Sequence, residues 1–470
     1  MVRTRFAPSP TGTPESLHLG FVIRALWNYA YAKKNKGKFI LRIEDTDQKR
    51  SRKDTEEEIY KVLKKFGITW DEGPDIGGPY APYRQSERLP KYQEAAKLLV
   101  ERGYAYYDFD APVREKEEIK EAYQSKERLA KLKLRPKARN NSLEDSLKRI
   151  KKGEKYVVRV KIPDDEVFEY NDLILKKKIK FFGKEVPDMI LLKSDGFPTY
   201  HLAVVVDDID MRISHVFRGQ EWISSTPIHL FLYKGMGRKA PAIGHFSVIL
   251  DPRTGKKFSK RDLTSMFGVN TWLDNGYLPE AILNYLMLLG WAPKNNQELF
   301  TLEEFVQAFD LNGVQKANPV FNKEKLDWFN GQYIRKLSIK DLNSRLKKQN
   351  ANFSKLQAKK QLEITKLIQD RIKTLKEFDT LAKFFWERPK VDKKLFGKNY
   401  KIHLGAALNA IKDNQDLSVT VSKNDFKTGD FFMDLRIAIT GSKFTPPINE
   451  SIIILGKEES MERIKSCLSE

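Results

Sequence analysis

The stretch that decides the fold is residues 3–43, RTRFAPSPTGTPESLHLGFVIRALWNYAYAKKNKGKFILRI. Residues 4–7 are short and strand-like, and the proline- and glycine-rich residues 8–14 are typical of a loop. Apolar residues then recur at helical spacing from Leu19 to Tyr31, and residues 39–43 form a second apolar strand. A strand, loop, helix and strand in this order predict a parallel α/β sheet whose ligand lies at the carboxyl ends of the strands.

The loop of residues 9–18 directly precedes the predicted helix. Backbone N–H groups and the helix dipole favour phosphate at such a position. An imidazole at His18 can donate to an oxygen of a bound triphosphate, and Gly20 keeps the helix start free of a side chain, so that a nucleotide can lie close. A lone histidine is more often structural, and that alternative stands for His18 taken by itself.

A second candidate motif lies far downstream in residues 251–262, DPRTGKKFSKRD, which carry five cations. Composition alone is consistent with an ordinary solvated turn. Paired lysines on a mobile loop can instead close on a pyrophosphate leaving group and neutralise the charge that develops on it. The motif therefore gives a second reason to expect a nucleoside triphosphate.

Length and composition limit the class of protein. A chain of 470 residues predicts about three or four domains, and 40% hydrophobic and 11% aromatic residues argue against wholesale disorder. The single cysteine, Cys467, excludes an internal disulfide framework and a cysteine-based zinc site. No run of about 18 apolar residues occurs, and the N-terminal residues lack an apolar segment. We expect a cytoplasmic protein without a membrane anchor.

The charge of the chain points to a polyanionic partner. Lysine and arginine total 85 against 63 acidic residues, a net charge of +22. A lysine-rich proteome would explain a uniform excess, but the charge is concentrated: residues 331–400 hold 19 basic and 7 acidic residues, and residues 111–160 hold 16 and 8. Two separated basic stretches favour an elongated polyanion that is contacted at two places.

Several motifs occur in an order that is specific to one family. They include RTRFAPSPTG (3–12), HLG (18–20), RIEDTD (42–47), LKSDGFPTYH (192–201), HVFRGQEW (215–222), KFSKR (257–261) and LDWFNGQYI (326–334). Each motif alone is weak or moderate. Together they cover nearly the whole chain, which resembles the class I aminoacyl-tRNA synthetases and specifically the glutamyl-tRNA synthetase family.

The resemblance implies an α/β fold with a Rossmann-like parallel-sheet catalytic domain. Its first half would be residues 1–103 and its second half residues 187–244. Residues 104–186 would form an inserted α+β domain that grips the tRNA acceptor stem. Residues 245–317 would be a stem-contact region with the KFSKR loop, and residues 318–470 a mainly helical anticodon-binding domain.

The implied reaction joins glutamate to tRNA-Glu in two steps. Glutamate attacks the α-phosphorus of ATP, which is used with Mg²⁺, and a ribose hydroxyl of the terminal adenosine of the tRNA then accepts the glutamyl group. No covalent enzyme intermediate forms, so catalysis should rest on positioning and electrostatics. The resemblance also implies a monomer.

The family's site residues transfer to matching positions of this chain. Arg5 and Arg218 match the arginines that bind the substrate's carboxylates, for which a planar guanidinium fork is well suited. Ser9, Glu44 and Tyr200 match residues around the amino acid, although Glu44, with Asp45 and Asp47, could instead be a polar helix-capping cluster. The residues matched to ATP are Ser9, His18, Gly20, Lys257, Ser259 and Lys260, of which His18, Lys257 and Lys260 are the implied catalytic residues.

Two departures from the family pattern stand out. Five residues separate Gly12 from His18, where the family usually has two, so the nucleotide loop is longer. Some relatives carry a zinc-binding cysteine cluster in the inserted domain, but the matching residues 104–108, YAYYD, contain no cysteine. We therefore expect no zinc.

Other functions remain as alternatives. Glutaminyl-tRNA synthetase usually has glutamate and asparagine where this chain has Ser9 and Thr11, and the tRNA-Asp-modifying relative lacks the C-terminal domain. A small-substrate nucleotidyltransferase would leave the basic C-terminal region unexplained, and a non-catalytic nucleic-acid-binding protein need not keep Arg5, His18, Lys257 and Lys260 together. Whether tRNA-Gln is charged as well as tRNA-Glu stays open.

Overall fold

The computed structural model describes residues 1–110, 135–255 and 268–469. The chain divides into two compact units: unit 1 comprises residues 1–271 and 283–322, and unit 2 comprises residues 272–282 and 323–470. Across the described part of the chain, no helix has both the length and the apolar character needed to span a bilayer.

The strands of unit 1 are β1 (Arg3–Phe6), β2 (Lys38–Leu41), β3 (Ala105–Asp108), β4 (Val157–Val160), β5 (Val167–Asp172), β6 (Lys177–Phe182), β7 (Ile190–Leu192), β8 (His215–Gly219) and β9 (Ala242–Phe246). The helices up to residue 322 are α1 (Leu19–Lys34), α2 (Lys53–Lys65), α3 (Leu89–Glu101), α4 (Leu143–Lys151), α5 (Tyr200–Asp210), α6 (Thr226–Gly235), α7 (Val269–Asp274), α8 (Pro279–Leu288) and α9 (Leu302–Ala308).

The first two parallel strands lie where the sequence predicts them, and the structure adds a second parallel pair. β1 pairs in parallel with β2, and β8 pairs in parallel with β9. Ser214 N, just before β8, donates to Arg3 O at 3.0 Å, so β1 and β8 are neighbours. The predicted strand, loop, helix and strand at the N-terminus is therefore confirmed, with β1 and β2 joined through α1.

Helix α1 buries its apolar face and ends where the sequence indicates. Val22 and Leu26 are fully buried, and replacing a buried leucine such as Leu26 with alanine typically costs about 2–5 kcal/mol. The helix ends at Lys34, and Gly37 then passes so close to β1 that a Cβ would lie 2.2 Å from Val2 O. Only glycine fits this return into β2 without a shift of the backbone.

An antiparallel region is inserted between the parallel pairs. β3, β4 and β7 form one antiparallel sheet, and β5 and β6 form a hairpin. Leu173 N, next to β5, donates to Ile243 O of β9 at 2.9 Å. This bond places the end of β5 directly against the parallel strands of the same unit.

Unit 2 is helical in its described residues, as predicted for residues after 318. Its helices from residue 323 are α10 (Lys323–Lys336), α11 (Ile339–Gln349), α12 (Ala351–Ser354), α13 (Ala358–Ile368), α14 (Glu377–Ala382), α15 (Tyr400–Lys412), α16 (Leu417–Lys423), α17 (Thr428–Thr440), α18 (Ile448–Leu455) and α19 (Lys457–Ser469). Their apolar faces enclose a separate core that includes Phe353, Leu404, Phe431 and Leu435.

Candidate active site

A cavity of about 1500 Å³ lies in unit 1 at the carboxyl ends of β1 and β8. Its wall gathers seven residues that the sequence analysis singled out, namely Arg5, Ser9, His18, Gly20, Glu44, Tyr200 and Arg218. They come from segments up to about 210 residues apart in the sequence. The other three candidates, Lys257, Ser259 and Lys260, lie outside the described residues.

His18 caps the N-terminus of α1 at the edge of this cavity. It is the N-cap residue, and its carbonyl accepts from Phe21 N at 2.8 Å. A Cβ on Gly20 would lie 2.9 Å from the His18 ring, so glycine leaves room for the imidazole to lie over the first turn. Glycine at position 20 therefore leaves space for the His18 ring as well as for a nucleotide, which was the reason suggested by the sequence.

The segment that follows the KFSKR motif lies next to His18. Gly268 forms an antiparallel bridge with His18, and Val269 N donates to Leu17 O at 2.8 Å. On the other side of the motif, Ser247, Val248 and Ile249 line the cavity. The two chain segments that flank the motif therefore both reach the site.

The longer loop between Gly12 and His18 is accommodated by a short turn. Residues 14–16 form one turn of 3-10 helix, and Ser16 Oγ donates to Thr13 O at 2.6 Å. Thr55 Oγ1 anchors the loop by donating to Gly12 O at 2.8 Å. Ser9 and His18 both still line the cavity, with Ser9 exposed.

One side of the site is a buried network of opposite charges around Arg42. Arg42 Nη1 donates to Asp208 Oδ1 at 2.7 Å, Nη2 donates to Glu44 Oε1 at 3.1 Å, and Nε lies 3.7 Å from Asp207 Oδ2. Arg42 is fully buried. Burial raises the pKa of Asp207, whereas the Arg5 and Arg42 cations outweigh burial at Asp208 and lower its pKa.

Arg5 joins this network through one nitrogen only. Its Nε donates to both oxygens of Asp208, at 3.1 and 3.3 Å. Within the described part of the chain, no group accepts from its Nη1 or Nη2. Arg5 therefore presents two adjacent N–H donors to the cavity.

Arg218 is also buried, but its partners are uncharged. Nε donates to His245 Nε2 at 3.1 Å, Nη1 to His229 Nδ1 at 3.0 Å, and Nη2 to Thr226 Oγ1 at 2.8 Å, and these three bonds are buried. Nη1 also donates to Tyr200 Oη at 3.2 Å, and Nη2 to Trp222 O at 3.1 Å, and these two bonds are partly exposed. No carboxylate of the described residues forms an ion pair with this guanidinium.

The histidines around Arg218 are held neutral. Burial, followed by the Arg218 cation, lowers the pKa of His201 to about 4. The same two causes lower the pKa of His229 well below its usual value. Burial and the Arg218 cation also keep the pKa of His245 below its usual value, although Asp172 opposes them. Of Arg218 and the three histidines near it, only Arg218 is therefore positively charged at neutral pH.

Glu44 lines the cavity and does not cap α2. Its pKa is raised by burial, against the opposing effect of Arg42 and Arg5. Among the described residues no group donates to its Oε2. Asp45 accepts from Ser86 N and Oγ, and Asp47 accepts from Arg50, while α2 begins only after Arg52 and without a side-chain cap. None of the three acids caps α2, although Asp45 accepts from the backbone N–H of Ser86 in the first turn of the 3-10 helix Gln85–Arg88.

Five residues of the site had no role in the sequence analysis: Arg42, Asp172, Asp208, His229 and His245. His229 lies in the apolar helix TPIHLFLYKG, and His245 lies in the strand AIGHF. A single polar residue in an apolar element is a sign of a buried group that needs a partner. That signal was available for both histidines.

Comparison with known proteins defines the family. Residues 1–328 match the family model described as tRNA synthetases class I (E and Q), catalytic domain, and residues 338–468 match the model described as anticodon binding domain. The chain belongs to the class I tRNA synthetases of this E and Q family. As a member of this class, the enzyme uses ATP, and its C-terminal domain is of a tRNA-binding type.

Relatives of this synthetase cover its full length. Glutamate--tRNA ligase 2 of Caldicellulosiruptor saccharolyticus is 39% identical over 99% of this chain and 98% of its own. A glutamate--tRNA ligase of Thermus thermophilus is 40% identical over 100% of both chains. A crystal structure of a glutamate tRNA ligase from Elizabethkingia meningosepticum, in complex with its amino acid, superposes with a TM-score of 0.87 at 34% identity, covering 100% of this chain and 99% of that one.

Proposed function

We propose that this synthetase is a glutamate--tRNA ligase that joins L-glutamate to the 3'-terminal adenosine of tRNA-Glu through a glutamyl-adenylate intermediate. Relatives with that name match the chain from end to end at 39% and 40% identity. A glutamate--tRNA ligase must bind an amino acid with two carboxylates. The α-carboxylate is converted to the adenylate, and the side-chain carboxylate stays negatively charged.

The observation that carries the proposal is that Arg218 is buried and that no carboxylate of the described residues contacts its guanidinium directly. A buried cation without an anionic partner is unfavourable, and a bound carboxylate removes that cost. The partly exposed Nη1 and Nη2 bonds mark the edge of Arg218 that faces the cavity. A carboxylate on that edge can accept from both nitrogens by taking the places of Tyr200 Oη and Trp222 O, whereas glutamine's neutral side-chain amide matches this pair of donors poorly.

The roles of the amino-acid-binding residues follow from their positions. Arg5 offers Nη1 and Nη2 to one carboxylate and Arg218 offers its cavity edge to the other. Tyr200 Oη accepts from Arg218, so its own proton is available to a substrate oxygen. Glu44 Oε2 and the exposed Ser9 hydroxyl are suited to the substrate ammonium group.

ATP would occupy the part of the cavity at the N-terminus of α1. The N–H groups of the first helical turn and the His18 ring can donate to phosphate oxygens. Lys257, Ser259 and Lys260 follow the cavity-lining residues 247–249 in the chain, and we propose that they neutralise the pyrophosphate as it leaves.

Each step of the proposed reaction balances without a covalent enzyme intermediate. A glutamate α-carboxylate oxygen attacks the α-phosphorus, and the bond to the pyrophosphate oxygen breaks. A ribose hydroxyl of the tRNA then attacks the carbonyl carbon, releases AMP and loses its proton. Within the described residues, no cluster of three metal-ligating side chains occurs. A Mg²⁺ ion carried by ATP would supply charge neutralisation with phosphate oxygens and water as ligands.

The basic stretches suit the tRNA as the large partner. Residues 331–400, with 19 basic and 7 acidic residues, lie mostly in the matched anticodon-binding domain. We propose that these cations contact tRNA phosphates, and that the enzyme acts as a cytoplasmic monomer.

Aminoacylation with glutamate and with glutamine, on tRNA-Glu and on tRNA-Gln transcripts, tests the proposal. We expect the enzyme to attach glutamate to tRNA-Glu. In the presence of tRNA, ATP–pyrophosphate exchange should occur only when glutamate is added. Preference for glutamine would refute the assignment in favour of a glutaminyl-tRNA synthetase. Equal charging of tRNA-Gln with glutamate would establish the non-discriminating alternative.

A further inference from the structure

The buried side of Arg218 is held by a chain of hydrogen bonds that reaches into the inserted region. Arg218 on β8 and His245 on β9 are paired across the two parallel strands. Arg218 Nε donates to His245 Nε2 at 3.1 Å, and His245 Nδ1 lies 2.6 Å from Asp172 Oδ2. His245 is fully buried and Asp172 is 2% exposed.

The hydrogen bonds define which nitrogen of His245 carries the proton. A carboxylate can only accept, so Nδ1 must donate to Asp172. Nε2 then has a lone pair, which is what the Nε–H of Arg218 requires. With the other tautomer, two N–H groups would face each other at 3.1 Å.

Asp172 itself is held rigidly by its second oxygen. Oδ1 accepts from the backbone N–H groups of Ile174 at 3.0 Å, Leu175 at 2.8 Å and His245 at 3.2 Å. Burial would raise the pKa of Asp172, but the hydrogen bond from His245 and the backbone N–H groups lower it overall. The pair is therefore a carboxylate and a neutral imidazole.

We propose that Asp172 and His245 are positioning residues for substrate binding: the Asp172 carboxylate sets the tautomer of His245, and His245 in turn aims the Nη edge of Arg218 at a carboxylate of glutamate. The inference rests on the proposed function. It adds that the strand end at Asp172, in the region inserted between the two parallel pairs, takes part in amino acid binding without touching the amino acid.

Asp172→Asn tests the role of the tautomer with almost no change in shape. The asparagine oxygen is expected at the Oδ1 position, because three backbone N–H groups need an acceptor there. The NH₂ group then faces His245 Nδ1 and forces the proton to Nε2, opposite Arg218. We expect the KM for glutamate to rise roughly 10- to 100-fold, by analogy with the loss of the group that orients a metal-binding histidine, with the KM for ATP and kcat nearly unchanged.

A matched control exists in unit 2. Asp434 Oδ2 lies 2.7 Å from His403 Nδ1, and Asp434 Oδ1 accepts from Gly397 N at 2.8 Å, so this pair repeats the Asp172 arrangement outside the cavity. At saturating tRNA, Asp434→Asn should leave the KM for glutamate unchanged. A rise of the same size in both variants would overturn the proposal.

A double-mutant cycle separates positioning from a purely structural role. His245→Gln puts an amide oxygen near the position of Nε2 but no nitrogen near Nδ1, so Asp172 loses its influence on Arg218. The KM for glutamate of the double variant should then equal that of His245→Gln alone. If Asp172→Asn raised KM by the same factor in both backgrounds, or raised the KM for ATP equally, Asp172 would not act through His245.

Activity of the wild-type enzyme with glutamate separates a failure of the positioning role of Asp172 from a failure of the proposed function. Glutamate-dependent activity of the wild type together with an unchanged KM in Asp172→Asn would refute the positioning role alone. A wild type that does not use glutamate would refute the proposed function and, with it, the positioning of a glutamate-binding arginine. Thermal unfolding of each variant shows that the kinetics are measured on folded protein.

Discussion

Two buried arginines of unit 1, Arg42 and Arg218, differ in how their charge is compensated. Arg42 has Asp208, Glu44 and Asp207 within 2.7, 3.1 and 3.7 Å. Arg218 is 8% exposed and donates only to imidazoles, hydroxyls and a carbonyl. Both guanidinium groups are buried, but Arg42 forms ion pairs with carboxylates, whereas Arg218 has no carboxylate of the described residues in direct contact.

The difference separates a structural charge from a functional one. Carboxylates of the folded protein balance the charge of Arg42, so substituting Arg42 should mainly lower the free energy of unfolding. Arg218 has no carboxylate of the described residues in direct contact, and Asp172 reaches it only through His245. A substrate carboxylate would supply the missing direct ion pair, so substituting Arg218 should mainly lower the affinity for the substrate.

The largest effect is expected at Arg42. Arg42→Met removes the cation that Asp207, Asp208 and Glu44 share. Asp207 keeps its ion pair with Arg88 and Asp208 keeps its ion pair with Arg5, whereas Glu44 loses the ion pair with Arg42, and breaking a buried ion pair from one side costs about 3–5 kcal/mol. Chemical denaturation of the variant and the wild type measures the free energy of unfolding. A loss below about 1 kcal/mol would contradict the view that Arg42 is the structural member of the two.

Arg218→Met should affect substrate binding more than stability. Methionine removes a buried cation that has no carboxylate of the described residues in direct contact, but it also leaves the buried acceptors His229 Nδ1 and His245 Nε2 without their donor. The two effects oppose each other, so the free energy of unfolding should fall by less than in Arg42→Met. The KM for glutamate should rise about 100-fold or more, because a charge-assisted bond to a desolvated carboxylate is worth about 2–5 kcal/mol. Steady-state aminoacylation measures the KM for glutamate, and denaturation of the same preparation measures the free energy of unfolding. A destabilised variant with a normal KM would make Arg218 a structural arginine and not a substrate-binding one.

A smaller effect concerns the pH dependence of stability. The pKa of His201 is about 4 in the folded protein against 6.5 as the ordinary value. Because the unfolded chain binds the proton first, stability is full above pH 6.5 and is lost as the pH falls toward 4. The expected loss from this residue is about 2 kcal/mol at pH 5. Unfolding curves of His201→Gln should lack that part of the pH dependence.

The Arg218 cation is the second cause of this shift, which links the pH dependence to the comparison. In Arg218→Met the pKa of His201 should move back toward its ordinary value, and the loss of stability at pH 5 should shrink. A pH dependence identical to the wild type in both variants would show that neither group contributes.

The smallest effect extends the comparison to the surface of unit 2. Lys348 is exposed on α11 and has no ion pair with any described residue, whereas Lys383 lies 3.0 Å from Glu387. If free cations contact tRNA phosphates, Lys348→Ala should flatten the slope of log affinity against log salt by about 0.7–0.9. Lys383→Ala is the matched control and should change the slope less. Equal slopes for all three proteins would favour a merely solvated helical face.

The sequence predicted those parts of the site that depend on neighbours along the chain. Helical spacing located α1 between the two parallel strands, and the loop before it placed His18 at a helix N-terminus. The link from Arg218 through His245 to Asp172 could not be derived this way, because Asp172 and His245 are 73 residues apart in the sequence and meet where the end of β5 lies against β9. Whether a buried arginine has a carboxylate partner also depends on contacts between distant parts of the chain. The sequence around Arg42 and Arg218 therefore does not show that only Arg42 forms ion pairs with carboxylates of the described residues.

A structure of the enzyme with bound glutamate tests the central claim most directly. We predict that a carboxylate of glutamate accepts from Nη1 or Nη2 of Arg218 at about 2.7–2.9 Å, the distance of a charge-assisted hydrogen bond. Arg42 should keep its contacts with Asp208 and Glu44. Glutamate bound with both carboxylates beyond reach of Arg218, or with Arg42 drawn from its acids to the substrate, would contradict the account.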